Sequence, residues 1–158
     1  MSVNENYRKQ KDFLSYIIDK EYYPFLKNEL TQYIQHGNTS VFKHSRDVAF
    51  NSYRLGLFLS NHLNAKIDYN ALINASYMHD MFLYDWHEKN GNHKLHGYTH
   101  PKVAAQNAQK HCNASIKEQK MIKSHMWPLT ITKVPTSKEA WILSLCDKFT
   151  TIIEVFNR

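Results

Sequence analysis

The stretch Asn74–Trp86, NASYMHDMFLYDW, sets His79 and Asp80 side by side in an otherwise apolar run. An aspartate among apolar residues is costly unless its charge meets a partner or a metal. The doublet is therefore either the polar edge of an ordinary helix or a place where something positive sits. Upstream, Asp68 offers an N-cap for YNALINASYMHDM, so His79 and Asp80 close a helix whose other residues suit a core. The remaining chain has to decide between the two.

With 158 residues there is enough chain for one domain with a single core, read here as residues 1–158. Apolar residues make up 42% and aromatic residues 13%, which excludes a disordered chain. Only four glycines and four prolines punctuate it, favouring long helices over many short strands. The formal charge of +6, with ten histidines besides, suits a small anionic, phosphate-containing ligand; RNA or a membrane surface would also be attracted. The polar N-terminus lacks the apolar segment of a signal peptide, and no apolar run is long enough to cross a bilayer. Cys112 and Cys146 form no CxxC pattern, so the expectation is a cytoplasmic protein with reduced thiols and no membrane partner.

Helical spacing recurs along the chain. YRKQKDFLSYIID places Phe13, Leu14, Ile17 and Ile18 on one stripe, and after Pro24 the run FLKNELTQYIQHGN keeps the period up to Gly37. These are N-terminal helices within residues 1–37, expected to pack on the bundle or to make a dimer contact. The motif-bearing core follows over 40–155. Thr39 or Ser40 caps VFKHSRDVAFNSYRLGLFLSNHL, the longest amphipathic run. Residues 85–99 are polar and form the one substantial loop, two helices follow at about 100–112 and 115–126, and Thr136 or Ser137 caps KEAWILSLCDKFTTIIEVF. The pattern predicts an all-α, single-domain helical bundle.

Several ionisable residues fall on the core-facing stripes. His44 is four residues before Val48 and eleven before Leu55, and Asp147 shares a stripe with Ala140 and Leu143. His100 opens a helix before Pro101, and His125 closes another beside Met126 and Trp127. Singly, each reads as a hydrogen-bonded core residue or a cap. Imidazoles and carboxylates arriving from four or five helices at core-facing places instead suit a metal centre in the heart of a bundle. They are ligands for zinc, iron, manganese or cobalt, and no cysteine pair points to a structural zinc knuckle.

The order His44, His79-Asp80, Asp147, in VFKHSRDVA, ASYMHDM and ILSLCDKFTT, resembles the HD-domain superfamily of metal-dependent phosphohydrolases over roughly residues 40–155. The resemblance implies a bundle of the HD-domain type in which these four residues bind one divalent ion, with Asp80 able to bridge to a second. His100 in HGYTHP and His125 in SHMWPLT complete an H…HD…H…H…D order and look like ligands of that second ion, with His96 competing for the part of His100. Many members continue after the doublet with a glycine and a lysine; here the text is HDMFLYDW, with Tyr84 where that lysine would stand.

A metal-dependent phosphohydrolase is thus expected, acting on a small phosphate ester or nucleotide through one or two divalent ions (Fe, Mn, Co, Ni, Zn or Mg). Asp80 is the candidate bridging ligand. Asp85 is a candidate for orienting a water, and Arg46, His96, Lys102 and Lys148 for contacting substrate. The loop with His87, His93, Lys94 and His96 is placed to cover the site. Two other chemistries share the pattern: a di-iron oxygenase with the same ligand set, and a non-catalytic nucleotide-binding module. No nucleic-acid partner is expected, since the cations are dispersed and no RNA-recognition motif is present. A homodimer is allowed.

Overall fold

A computed structural model describes residues 11–87 and 95–156. The chain runs through α1 (Tyr23–Thr31), the strands β1 (Ile34–His36) and β2 (Thr39–Ser40), then α2 (Val41–Leu63), α3 (Tyr69–Met78), α4 (His96–Cys112), α5 (Ile116–Ser124) and α6 (Lys138–Phe156). Its starts and stops have local causes. Ser40 Oγ accepts from Lys43 N at the head of α2, and Asp68 Oδ1 accepts from Ala71 N at the head of α3. Ser115 and Glu118 exchange hydrogen bonds as a capping box that opens α5, and Ser137 Oγ accepts from Ala140 N in the first turn of α6. α2 and α4 end on Asn64 and Asn113, whose positive φ a short polar side chain tolerates.

Every residue of α3 from Ala71 to Met78 is buried, because α2, α5 and α6 pack around it. That is the place for a helix apolar on all sides. The N-terminal segment joins the same core: Phe13 lies 5.3 Å from Phe50 and 6.1 Å from Tyr77, ring to ring. Among the described residues the bundle is all-α apart from one small hairpin. No helix among the described residues is long and apolar enough to cross a membrane.

Two expectations about elements need correction. The helix expected to run from Phe25 to Gly37 stops at Thr31, and the chain turns into an antiparallel hairpin pairing Ile34 with Ser40 and His36 with Thr39. Here burial alternates with period two: Ile34 is exposed and Gln35 is buried. Tyr33 and Ile34 had mimicked one more helical turn. The helix expected from His100 starts earlier, at His96, leaving Pro101 inside α4. The extra turn is held by ring stacking, with His96 between Trp86 and His100 at centroid distances of 5.0 and 4.6 Å. His93 and Lys94 lie outside the described residues.

Candidate metal centre

Six side chains from five elements meet in the core. His44 comes from α2, His79 and Asp80 from the end of α3, His100 from α4, His125 from the residue closing α5, and Asp147 from α6; all are buried. They form two groups sharing Asp80. In the first, His44 Nε2 lies 3.2 Å from Asp147 Oδ1 and 3.8 Å from Asp80 Oδ2, while His79 Nε2 lies 3.2 Å from Asp80 Oδ2 and 3.5 Å from Asp147 Oδ1. In the second, Asp80 Oδ1 faces His100 Nε2 at 3.2 Å and His125 Nε2 at 3.6 Å. Within each group, one ligand atom per residue lies within 4.8 Å of all the others. Asp80 thus points one oxygen into each group.

The outer nitrogens set the tautomers. His79 Nδ1 is 2.7 Å from Ser76 O, His100 Nδ1 is 2.8 Å from His96 O and His125 Nδ1 is 2.7 Å from Ile122 O. A carbonyl only accepts, so each Nδ1 carries its hydrogen and donates. His44 Nδ1 donates likewise to Glu154 Oε2 at 2.9 Å. In the neutral rings, all four Nε2 lone pairs then face inward. His100 Nε2 and His125 Nε2 stand only 3.0 Å apart, an arrangement that repels unless a proton or a cation lies between them. Among the described residues, buried His79 Nε2 and Asp80 Oδ1 have no hydrogen-bond partner. Inward lone pairs, outward N–H groups held by carbonyls or a carboxylate, and orphaned buried atoms fit a divalent metal in each group.

The electrostatics agree. Burial opposes a charged imidazole at His44, but hydrogen bonds to Asp147 and Glu154 outweigh it and raise the pKa to about 9. At His79 burial is likewise overcome, by the negative charges of Asp80 and Asp147 that its Nε2 faces, and the pKa rises well above the ordinary value. Burial also opposes ionisation of Asp80 and Asp147, yet neighbouring imidazoles hold both far below the usual carboxylate range. His125 is pushed down to about 3, by burial first and then by the charges of His79 and His100. Two buried carboxylates therefore demand positive charge. Protonated imidazoles supply it in the metal-free protein, and a divalent ion supplies it while freeing the lone pairs.

Beside the cluster opens a cavity of about 990 Å³. Asp80, His100, His125 and Asp147 reach it from within. Trp86 and His96, stacked at 8°, make one wall, and Met126, Leu129 and Ile152 contribute apolar surface. Lys148 is the only lysine or arginine among the described residues lining it; its Nζ donates to His125 O at 2.8 Å.

His96 and Lys148 are thus brought to the cavity, but the other candidate contacts are not. Arg46 is exposed, forks onto Asp47 at 2.8 and 3.0 Å and does not line the cavity. It is two residues beyond His44, about 200° around the helix. Lys102 stands two residues beyond His100 in the same way and is exposed. Asp85 is exposed too, its Oδ1 accepting from His87 N at 2.9 Å as a turn cap. Sequence reasoning missed Gln35, whose Nε2 donates to Asp80 Oδ2 at 2.6 Å from the hairpin, and Glu154 behind His44. Glu154 had a signal, standing seven residues after Asp147 and hence on the same helix face.

The family model of the HD domain matches residues 41–152. No curated protein and no solved structure gives a significant match. Since that span covers well over half of the chain and takes in all six clustered His and Asp residues, the chain belongs to the HD domain family.

Proposed function

We propose that the chain is a metal-dependent phosphohydrolase acting on a small phosphate ester or nucleotide at the cavity beside the cluster. The observation carrying this reading is the inward convergence of four Nε2 atoms on two buried carboxylates, with each Nδ1 hydrogen held outward. Membership of the HD domain family, largely metal-dependent hydrolases, supports it. His44, His79, Asp80 and Asp147 would hold one ion, and Asp80, His100 and His125 a second. When bound, divalent ions lower the pKa of a water and neutralise charge developing on a phosphoryl group. The chain's own residues do the rest. Gln35 fixes the Asp80 carboxylate, Glu154 fixes the His44 ring, and Lys148, which lines the cavity with its ammonium held by His125 O, Ser144 O and Ser144 Oγ, would exchange one of these bonds for a phosphate oxygen. Trp86, Met126, Leu129 and Ile152 hold the apolar body of the ester and exclude water.

The test is phosphate release by chelator-treated protein reconstituted with Mn, Co, Fe or Zn, across a panel of monophosphate esters and nucleotides. Release that requires metal and vanishes in Asp80→Asn supports the proposal. A second reading, the di-iron oxygenase, draws on the same set of four imidazoles and two carboxylates, which suits iron. Oxygen uptake by the iron form without phosphate release would favour it. Tight nucleotide binding without any turnover would favour a non-catalytic module.

A further inference from the structure

Helix α6 buries several polar residues beside its apolar core side chains. Asp147, Thr150 and Glu154 face the cluster side and are wholly or largely buried. Its outward face is apolar: Leu145, Phe149, Ile152 and Phe156 recur at spacings of four, three and four, and are 55%, 57%, 55% and 83% exposed. Ala140, Ile142, Leu143 and Cys146 already fill the core side, so this is a second apolar stripe, where an ordinary surface helix is polar, and it has the spacing of a coiled-coil seam. Ile153 and Val155 flank the seam, Phe58 of α2 adjoins it, and a groove of about 550 Å³ lies between α2 and α6 with Leu55, Phe58, Leu145 and Phe149 in its walls.

We propose that this face is the interface of a homodimer, in which α6 pairs antiparallel with α6 of a second copy. Two observations select a second copy as occupant. The seam is complementary to itself: a two-fold axis between Phe149 and Ile152 sets Leu145 opposite Phe156 of the second copy, and Phe149 opposite Ile152. Each contact then matches an aliphatic with an aromatic side chain, as an isologous interface requires. The area also fits. The exposed parts of the seven apolar side chains amount to about four whole ones, roughly 600–800 Å² at the size of large side chains. That approaches the ~800 Å² each partner gives to a standard interface, and reaches or exceeds the largest patch a monomer usually leaves bare. The four seam residues carry no charge, so their pairing buries no like-charged contact, and the repulsion between two copies of net charge +6, with Arg54 at the groove, is screened by salt. Thr151 and Ile152 also line the cavity, so the second copy would wall its mouth. The interface stands whether or not that cavity hydrolyses phosphate.

Sedimentation velocity of the full chain between about 1 and 100 µM tests this, with Phe149→Glu, Phe156→Glu and Phe149→Leu as variants. The expected result is a species of twice 18.7 kDa, a dissociation constant raised at least about thirtyfold by either glutamate, and a dimer retained in Phe149→Leu. Phe156, the most exposed of the four, keeps the test decisive should Phe149→Glu fail to fold. A wild type that stays monomeric at 100 µM, or a dimer that survives both glutamates, would overturn the proposal. So would a monomer that co-sediments with neutral phosphatidylcholine vesicles, since a bilayer would then be what covers the face.

Discussion

Replacing Glu154 by Gln should weaken one metal site and spare the other. Glu154 Oε2 accepts from His44 Nδ1 at 2.9 Å, with side-chain exposures of 7% and 0%, so the bond is charge-assisted and nearly free of solvent screening. Glutamine keeps the shape and can still accept through its amide oxygen, but it removes the negative charge that makes the ring a stronger donor to a cation. Carboxylate support of a ligating imidazole is typically worth a factor of about 10–100 in metal affinity, or about 1.4–2.7 kcal/mol. The loss should fall on the group of His44, His79, Asp80 and Asp147. Glu154 bonds to His44, while the hydrogen bonds and ion pairs of His100 and His125 go to other described residues, so the group they form with Asp80 should change by less than about threefold. Competition titration against a chromophoric chelator at pH 8 resolves the two classes, with circular dichroism confirming the fold. Unchanged affinity in a folded variant, or an equal loss at both classes, would refute the reasoning.

Other outcomes follow from the same geometry. Metal uptake should release at least one proton below pH 9, because His44 holds one up to about that value, and affinity should rise about tenfold per pH unit for each proton displaced. Calorimetry in buffers of different ionisation enthalpy counts those protons. The stability of the metal-free protein should be limited on both sides. The folded pKa of His125, near 3, lies below the unfolded value near 6.5, so stability is lost as pH falls through that interval. The raised pKa of His44 contributes stability that is full below about 6.5 and lost as pH rises through 9. Urea midpoints against pH show both limbs, and bound metal should remove the alkaline one. Lys148→Met should raise KM for a phosphorylated substrate about tenfold to a hundredfold, the worth of one hydrogen bond to a charged group, while metal content stays unchanged. Glu118→Ala should cost about 2–4 kcal/mol in urea unfolding, since it strips the α5 capping box and orphans buried Asn74 Nδ2, now 2.9 Å from Glu118 Oε1. It should leave metal stoichiometry intact.

The cluster was legible because its members interrupt apolar stripes. His44, His79, Asp80 and Asp147 occupy positions where helical periodicity calls for a core residue, and burying carboxylates there requires positive charge beside them, which imidazolium or a bound cation can supply. What supports them was less visible. Gln35 is an ordinary polar residue until the hairpin swings it onto Asp80, and the apolar pair Tyr33–Ile34 disguised the end of α1 as one more turn. Nearness in sequence to a clustered residue was a poor guide to which cations line the cavity. Arg46 and Lys102, two residues past His44 and His100, turn away to the opposite side of their helices. Lys148, one residue past Asp147, is rotated by only 100° and has a stem long enough to reach the cavity. His96 became part of the wall through stacking on Trp86, a contact between residues ten apart that helical or strand periodicity does not encode.

The most direct test is metal content by elemental analysis of protein purified without chelator or metal-affinity tag, then reconstituted and desalted. Two divalent equivalents are predicted for the wild type, one for His125→Ala, and a near-complete loss for Asp80→Asn, whose carboxylate serves both groups. A folded wild-type protein that retains no metal after reconstitution would contradict the account.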